Sequence, residues 1–210
     1  MEFSITIFLD LLGTFAFAIS GLRLASGKRI DWFGAFIIAL VTAIGGGTTR
    51  DLLLDVRPFW MMNPMYFITT GIAFLSAILF KEKLFRWGST LFMFDAIGLG
   101  LFTVVGISKS LAMGLPFWVC VMMGTITGTL GGVFRDVLLN KVPLVFTRDI
   151  YALACVFGGG VYYLFYKFGF SSDITELMTA ITVIVARLIA AKFHLQLPLL
   201  KPINENIQKK

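Results

Sequence analysis

Residues 46–58, GGTTRDLLLDVRP, recur 85 positions later as residues 131–143, GGVFRDVLLNKVP, with seven of the thirteen positions identical. The same offset pairs Asp10 with Asp95, Gly13 with Gly98, Gly21 with Gly106, Thr42 with Thr127 and Tyr66 with Tyr151. Residues 8–80 set against 93–165 give 15 identities in 73 gap-free positions. Self-similarity at one fixed spacing marks a supersecondary unit built twice, so the fold has to hold two copies of one arrangement.

The medium is a bilayer. The chain is 58% hydrophobic and 14% charged, and its apolar runs match the roughly 20 residues that cross a hydrocarbon core of about 30 Å. Seven such runs occur, at about 3–22, 33–56, 64–80, 89–107, 116–139, 149–166 and 174–192. The expected fold is an all-α integral membrane protein. Each copy holds three spans, an odd number, so the second enters the membrane inverted: residues 1–87 form the first repeat, 88–168 the second, 169–193 an added seventh helix and 194–210 a tail. Inverted repeats recur in transport proteins, with the site near the midplane where corresponding interrupted helices meet. Glu2 in place of a basic n-region, and Asp10 within the apolar stretch, oppose a signal peptide.

A net charge of +6 raises the question of nucleic acid, but in a membrane protein the placement of the basic residues is what counts. The first, third and fifth loops plus the tail carry Arg23, Lys28, Arg29, Lys81, Lys83, Arg86, Lys141, Arg148, Lys192, Lys201, Lys209 and Lys210; the opposite side carries Arg57, Lys109 and Lys167. Twelve against three predicts a cytoplasmic C-terminus and an outside N-terminus, with lipid headgroups as partners and no nucleic acid. Cys120 and Cys155 fall within spans without metal or disulfide spacing, which makes them packing residues. His194 is an interfacial polar residue, and Arg187 is expected to snorkel toward the cytoplasmic interface.

Gly45, Gly46 and Gly47 stand in the second span, and Gly131 and Gly132 in the fifth. Glycine costs about 1 kcal/mol relative to alanine inside a helix, so these runs predict a local break or kink, with close helix packing as the other reading; in a transporter a half-helix would begin at Thr48 and Thr49. Backbone freed at that depth must line water or be buried in protein. Asp10, Arg50, Asp51, Asp95, Arg135 and Asp136 also lie within spans, where an ionisable group is costly unless paired or hydrated. Neighbours point about 100° apart on a helix, so each Arg is expected to find a partner on another helix: Arg50 with Asp136 and Arg135 with Asp51, or either with Asp10 or Asp95. Asp55, one turn past Asp51, is expected to extend the polar stripe outward.

Two roles fit this cluster. Ion pairs brace the two repeats together, or carboxylates and freed carbonyls line a hydrated passage for a cation. A soluble phosphate loop is excluded because no Lys-Ser/Thr follows the glycines. No glycine immediately precedes any of the four aspartates, as the pattern of intramembrane aspartyl proteases requires. With one His and no large loop, no cofactor or enzymatic activity is expected.

The seven spans, the inverted repeat, GGGTTRDLLL, GGVFRDVLL and the shared Pro58 and Pro143 resemble the prokaryotic members of the trimeric intracellular cation channel family. The resemblance implies a homotrimer with one pore per subunit, lined by kinked second and fifth spans and conducting potassium, sodium and other monovalent cations across the bacterial inner membrane. It implies no bound metal beyond the passing ion. Animal members carry a lysine-rich motif after the first kink, where this chain reads Thr48-Thr49-Arg50-Asp51. Bacterial relatives are also classed as glycine transporters, so a small-zwitterion transporter is the alternative.

Overall fold

The structure, a computed structural model, describes residues 5–81, 90–147, 150–193 and 195. They form helices α1 (Ile5–Ala25), α2 (Trp32–Leu53), α3 (Phe59–Met62), α4 (Met65–Leu79), α5 (Thr90–Ala112), α6 (Phe117–Leu138), α7 (Leu144–Thr147), α8 (Ala152–Lys167) and α9 (Ser172–Lys192), with no strand among the described residues. Five of them, α1, α2, α5, α6 and α9, are long and apolar enough to cross a membrane. α4 has 15 residues and α8 has 16, so each covers only about 22–24 Å at about 1.5 Å per residue. Helices meet the demand of a lipid solvent by bonding their backbone groups internally.

The 85-residue spacing reappears in the element boundaries. α2 and α6 begin and end 85 positions apart, and so do the one-turn helices α3 and α7. The centre is a four-helix arrangement in which α1 packs on α2 and α5, and α6 packs on α2 and α5. Phe17 and its counterpart Phe102 meet edge to face there, ring centroids 5.1 Å apart and both buried. α4 lies on α1, α8 on α6, and α9 on α5 and α8. Buried threonines at 14, 42, 103 and 127 donate their hydroxyls to the carbonyl four residues back, which satisfies them without interrupting the core.

The expected helix breaks are absent. α2 runs through Gly45–Gly47 and α6 through Gly131–Gly132 without leaving helical geometry. The glycines allow close approach instead. A Cβ on Gly46 would overlap the Thr127 carbonyl oxygen, and a Cβ on Gly131 would overlap that of Thr42. The two crossings are reciprocal, since Thr42 and Thr127 are also 85 apart. Thr48 and Thr49 therefore begin no half-helix; their hydroxyls donate to the carbonyls of Ile44 and Gly45 at 2.7 and 3.0 Å.

Two boundaries differ from the hydropathy reading in ways that matter. α5 continues to Ala112, so Ser108 and Lys109 stand on the helix and not in a loop. α2 ends at Leu53, which leaves Asp55 off the helix that was to carry a polar stripe. Arg187 is buried, with its guanidinium 4.5 Å from the Tyr151 ring centroid and 5.0 Å from that of Phe92, so it does not snorkel. His194 and the residues from 196 onward lie outside the described residues.

Candidate functional site

Each Arg-Asp motif builds the same local unit. The chain leaves α2 through a turn in which Leu54 N donates to Arg50 O and Val56 N to Asp51 O; after α6, Leu139 N donates to Arg135 O and Lys141 N to Asp136 O. Asp55 and Asn140 hold the left-handed position of these turns, with φ of 55° and 52°, a conformation that Asp and Asn tolerate better than other non-glycine residues. Pro58 and Pro143 follow, and the next helical turn is α3 or α7. Asp51 Oδ2 accepts from Phe59 N at 2.9 Å, and Asp136 Oδ2 accepts from Leu144 N at 3.0 Å, each carboxylate meeting the positive end of a short helix.

The other oxygen of each carboxylate faces the neighbouring Arg. Arg50 Nε donates to Asp51 Oδ1 at 2.7 Å, and Arg135 Nε to Asp136 Oδ1 at 2.8 Å. This corrects the expectation that adjacent residues avoid each other. The 100° separation describes Cβ directions, while the arginine stem is long enough to fold back along its own turn. The reciprocal pairs Arg50–Asp136 and Arg135–Asp51 do not form among the described residues.

Beyond that shared unit the ends differ. At the α2 end Lys109 Nζ also donates to Asp51 Oδ1, at 2.8 Å, and Tyr66 donates to Asp10 Oδ2 at 2.7 Å. Arg50 is 1% exposed, packs over Phe59, and leaves its Nη1 without a hydrogen-bond partner. A cleft of about 300 Å³ opens here, lined by Asp10, Arg50, Tyr66, Lys109, Thr6 and Ser108 among others. Lys109, 32% exposed, stands on its wall.

At the α6 end the same residue types close on one another. Arg135, fully buried, donates through Nη1 to Asp95 Oδ1 at 2.6 Å and to Ser20 Oγ at 2.5 Å. Of the expected Arg–Asp pairs between helices, this one forms. Tyr151, the counterpart of Tyr66, is buried beside it with its hydroxyl unpaired. Buried pairs of this kind gain little net stability, but removal of one partner leaves an uncompensated charge.

The sequence-derived residues thus divide. Asp10, Arg50 and Asp51 gather at one end of the core, and Asp95, Arg135 and Asp136 at the other. Gly46 and Gly131 form the helix crossing between them; Gly45 and Gly47 make room for the Phe134 and Phe59 rings, and Gly132 faces the Tyr151 hydroxyl. Thr48 Oγ1 accepts from Trp60 Nε1 at 3.0 Å, and Thr49 bonds only within its helix. No three His, Cys, Asp or Glu residues converge as a metal site among the described residues. The open cleft sets the Asp10 carboxylate and the Tyr66 hydroxyl beside the cationic Arg50 and Lys109 side chains.

Four participants lie outside the residues that the sequence singles out. Lys109 was assigned to a loop because the hydropathy falls after Ile107. Tyr66 and Tyr151 appeared only as aligned letters, although an aromatic hydroxyl recurring 56 residues after each buried aspartate was a readable signal. Glu176 in α9 was not singled out.

Comparison with known proteins matches the chain to a family model described as Glycine transporter, twice, over residues 7–82 and 92–167. The two matches are themselves 85 residues apart. The UPF0126 inner membrane protein YadS of Escherichia coli strain K12 is 37% identical over 195 residues, covering 90% of this chain and 93% of the relative. The solved trimeric intracellular cation channel orthologue from Rhodobacter sphaeroides is 31% identical and shares the fold with a TM-score of 0.84, covering 91% of this chain and 99% of that one. A second structure, solved to explain conductance through TRIC cation channels, is 33% identical with a TM-score of 0.81, covering 96% and 98%.

Proposed function

The chain belongs to the membrane-protein family described as Glycine transporter, and from its likeness to solved trimeric intracellular cation channels we propose that it is a monovalent cation channel permeable to potassium and sodium. The carrying observation is the match to the Rhodobacter sphaeroides orthologue along nearly the whole of both chains. We place one pathway in each subunit of a homotrimer, running beside the α2–α6 crossing from the cleft at Asp10, Arg50 and Asp51 toward Asp95, Arg135 and Asp136. In this reading seven helices cross an inner membrane as two inverted repeats, 1–87 and 88–168, followed by a seventh helix at 169–193 and a tail at 194–210. The asymmetry of basic loops supports an outside N-terminus and a cytoplasmic C-terminus. The cleft then opens outward, and the Arg135–Asp95 pair seals the cytoplasmic end.

A second reading, transport of a small zwitterion such as glycine, draws on the family's description and on Arg50, whose buried Nη1 has no hydrogen-bond partner, in the lining of a cleft that also holds Asp10. Such a site offers a donor for a carboxylate and an acceptor for an ammonium group without net charge. Purified protein in liposomes separates the two. Potassium flux driven by an imposed potential is expected to exceed any uptake of labelled glycine; saturable glycine uptake without ion leak would overturn the channel reading.

A further inference from the structure

Helix α9 has no counterpart in either repeat, so what it buries is not dictated by the duplication. Near its N-terminus it carries Glu176, 2% exposed. Thr6 Oγ1 of α1 lies 3.0 Å from both carboxylate oxygens, and Ser108 Oγ of α5 donates to Oε1. The Tyr162 hydroxyl of α8 stands 3.3 Å from Ser108 Oγ. None of the ion pairs among the described residues includes Glu176.

These partners are placed with respect to the cleft. Thr6 of α1 and Ser108 of α5 both line it. Thr6 is one helical turn from Asp10, and Ser108 adjoins Lys109, which holds Asp51. A carboxylate only accepts, so each helix must turn a hydroxyl toward it. Hydrogen bonds to an ionised group are roughly twice as strong as neutral ones. An apolar residue would pack α9 against α1 and α5 without the several kcal/mol that desolvating a carboxylate costs. What the carboxylate adds is a polar tie between α1 and α5 at the cleft, beyond the apolar cluster of Leu9, Leu101, Val104 and Val105 that already joins them.

We propose that Glu176 is a positioning residue that clamps α1 to α5 and so fixes the width of the cleft mouth between Asp10 and Lys109. Its consequence for permeation rests on the channel reading; its consequence for helix spacing does not.

The test places spin labels at Ile7 of α1 and Ala112 of α5, both in the cleft lining, and measures their separation in the trimer in liposomes alongside potassium flux. Glu176→Ala and Ser108→Ala are expected to shift or broaden the separation by about 1–2 Å, the scale of helix shifts in switching proteins, and to raise flux severalfold while the trimer stays intact. Glu176→Gln, which keeps the length and an acceptor oxygen, is expected to hold the spacing near that of the unsubstituted protein. Should Glu176→Ala not fold, Ser108→Ala and Thr6→Val carry the test, each removing one tie. Unchanged spacing in every folded variant overturns the clamp. If the unsubstituted protein conducts no potassium, the channel reading fails, and the spin-label separation alone decides the clamp.

Discussion

The Tyr66 hydroxyl donates to Asp10 at 2.7 Å, while the equivalent hydroxyl of Tyr151 makes no bond to Asp95, whose Oδ1 accepts instead from Arg135 at 2.6 Å. One set of residue types, repeated 85 positions apart, therefore stands in two arrangements. Where the phenol takes the aspartate, the guanidinium pairs only with the adjacent Asp51 among the described residues and lines an open cleft. Where the guanidinium takes it, both groups are fully buried.

Substitution of the two aspartates is expected to separate these arrangements. Asp95→Asn strips a fully buried arginine of a charge partner and is expected to cost about 3–5 kcal/mol. Asp10→Asn loses one bond to a neutral hydroxyl, at about 1 kcal/mol. Thermal stability of the detergent-solubilised protein, followed by size-exclusion chromatography after heating, gives the ranking; equal losses would contradict the asymmetry.

The glycine crossing makes a second, steric prediction. Gly46→Ala and Gly131→Ala each push a methyl group against a carbonyl oxygen of the opposite helix, and overpacking of that kind costs about 1–3 kcal/mol. Gly71→Ala and Gly160→Ala meet open space and are expected to be neutral or to stabilise by up to about 1 kcal/mol through helix propensity. The same heating assay compares all four.

Lys109 presents a positive charge at the cleft wall and pairs there with the buried Asp51 carboxylate. Lys109→Gln is expected to leave stability nearly unchanged, because the amine is partly solvated, and to increase potassium flux in liposomes. A flux equal to that of the unsubstituted protein would remove Lys109 from the pathway.

The turns after α2 and α6 give a fourth prediction. Asp55→Gly and Asn140→Gly keep the left-handed backbone at no steric cost. Asp55→Val and Asn140→Val are expected to lose about 1–2 kcal/mol each, read as a lowered unfolding midpoint.

Much of this was legible in the sequence. The duplication fixed the correspondence of Asp10 with Asp95, Arg50 with Arg135 and Thr42 with Thr127, and the structure keeps it down to the ends of α2 and α6. Of the two readings of the glycines, close contact prevails over a break, because helix propensity is a measure made in water; in a crowded lipid-embedded crossing, melting a turn would strand its backbone groups, so the helix persists and the missing side chain serves contact. The Arg50–Asp51 and Arg135–Asp136 pairs were missed because Cβ geometry says little about where a long side chain ends. Lys109 and Glu176 were missed because a hydropathy window averages away a single charge near a helix end.

The most direct test of the central claim is the current through purified protein in a planar bilayer separating unequal potassium concentrations. The account predicts discrete cation currents that reverse near the potassium equilibrium potential and are changed by substitution at Asp51. No current at any potential, together with saturable glycine uptake by the same preparation in liposomes, would contradict it.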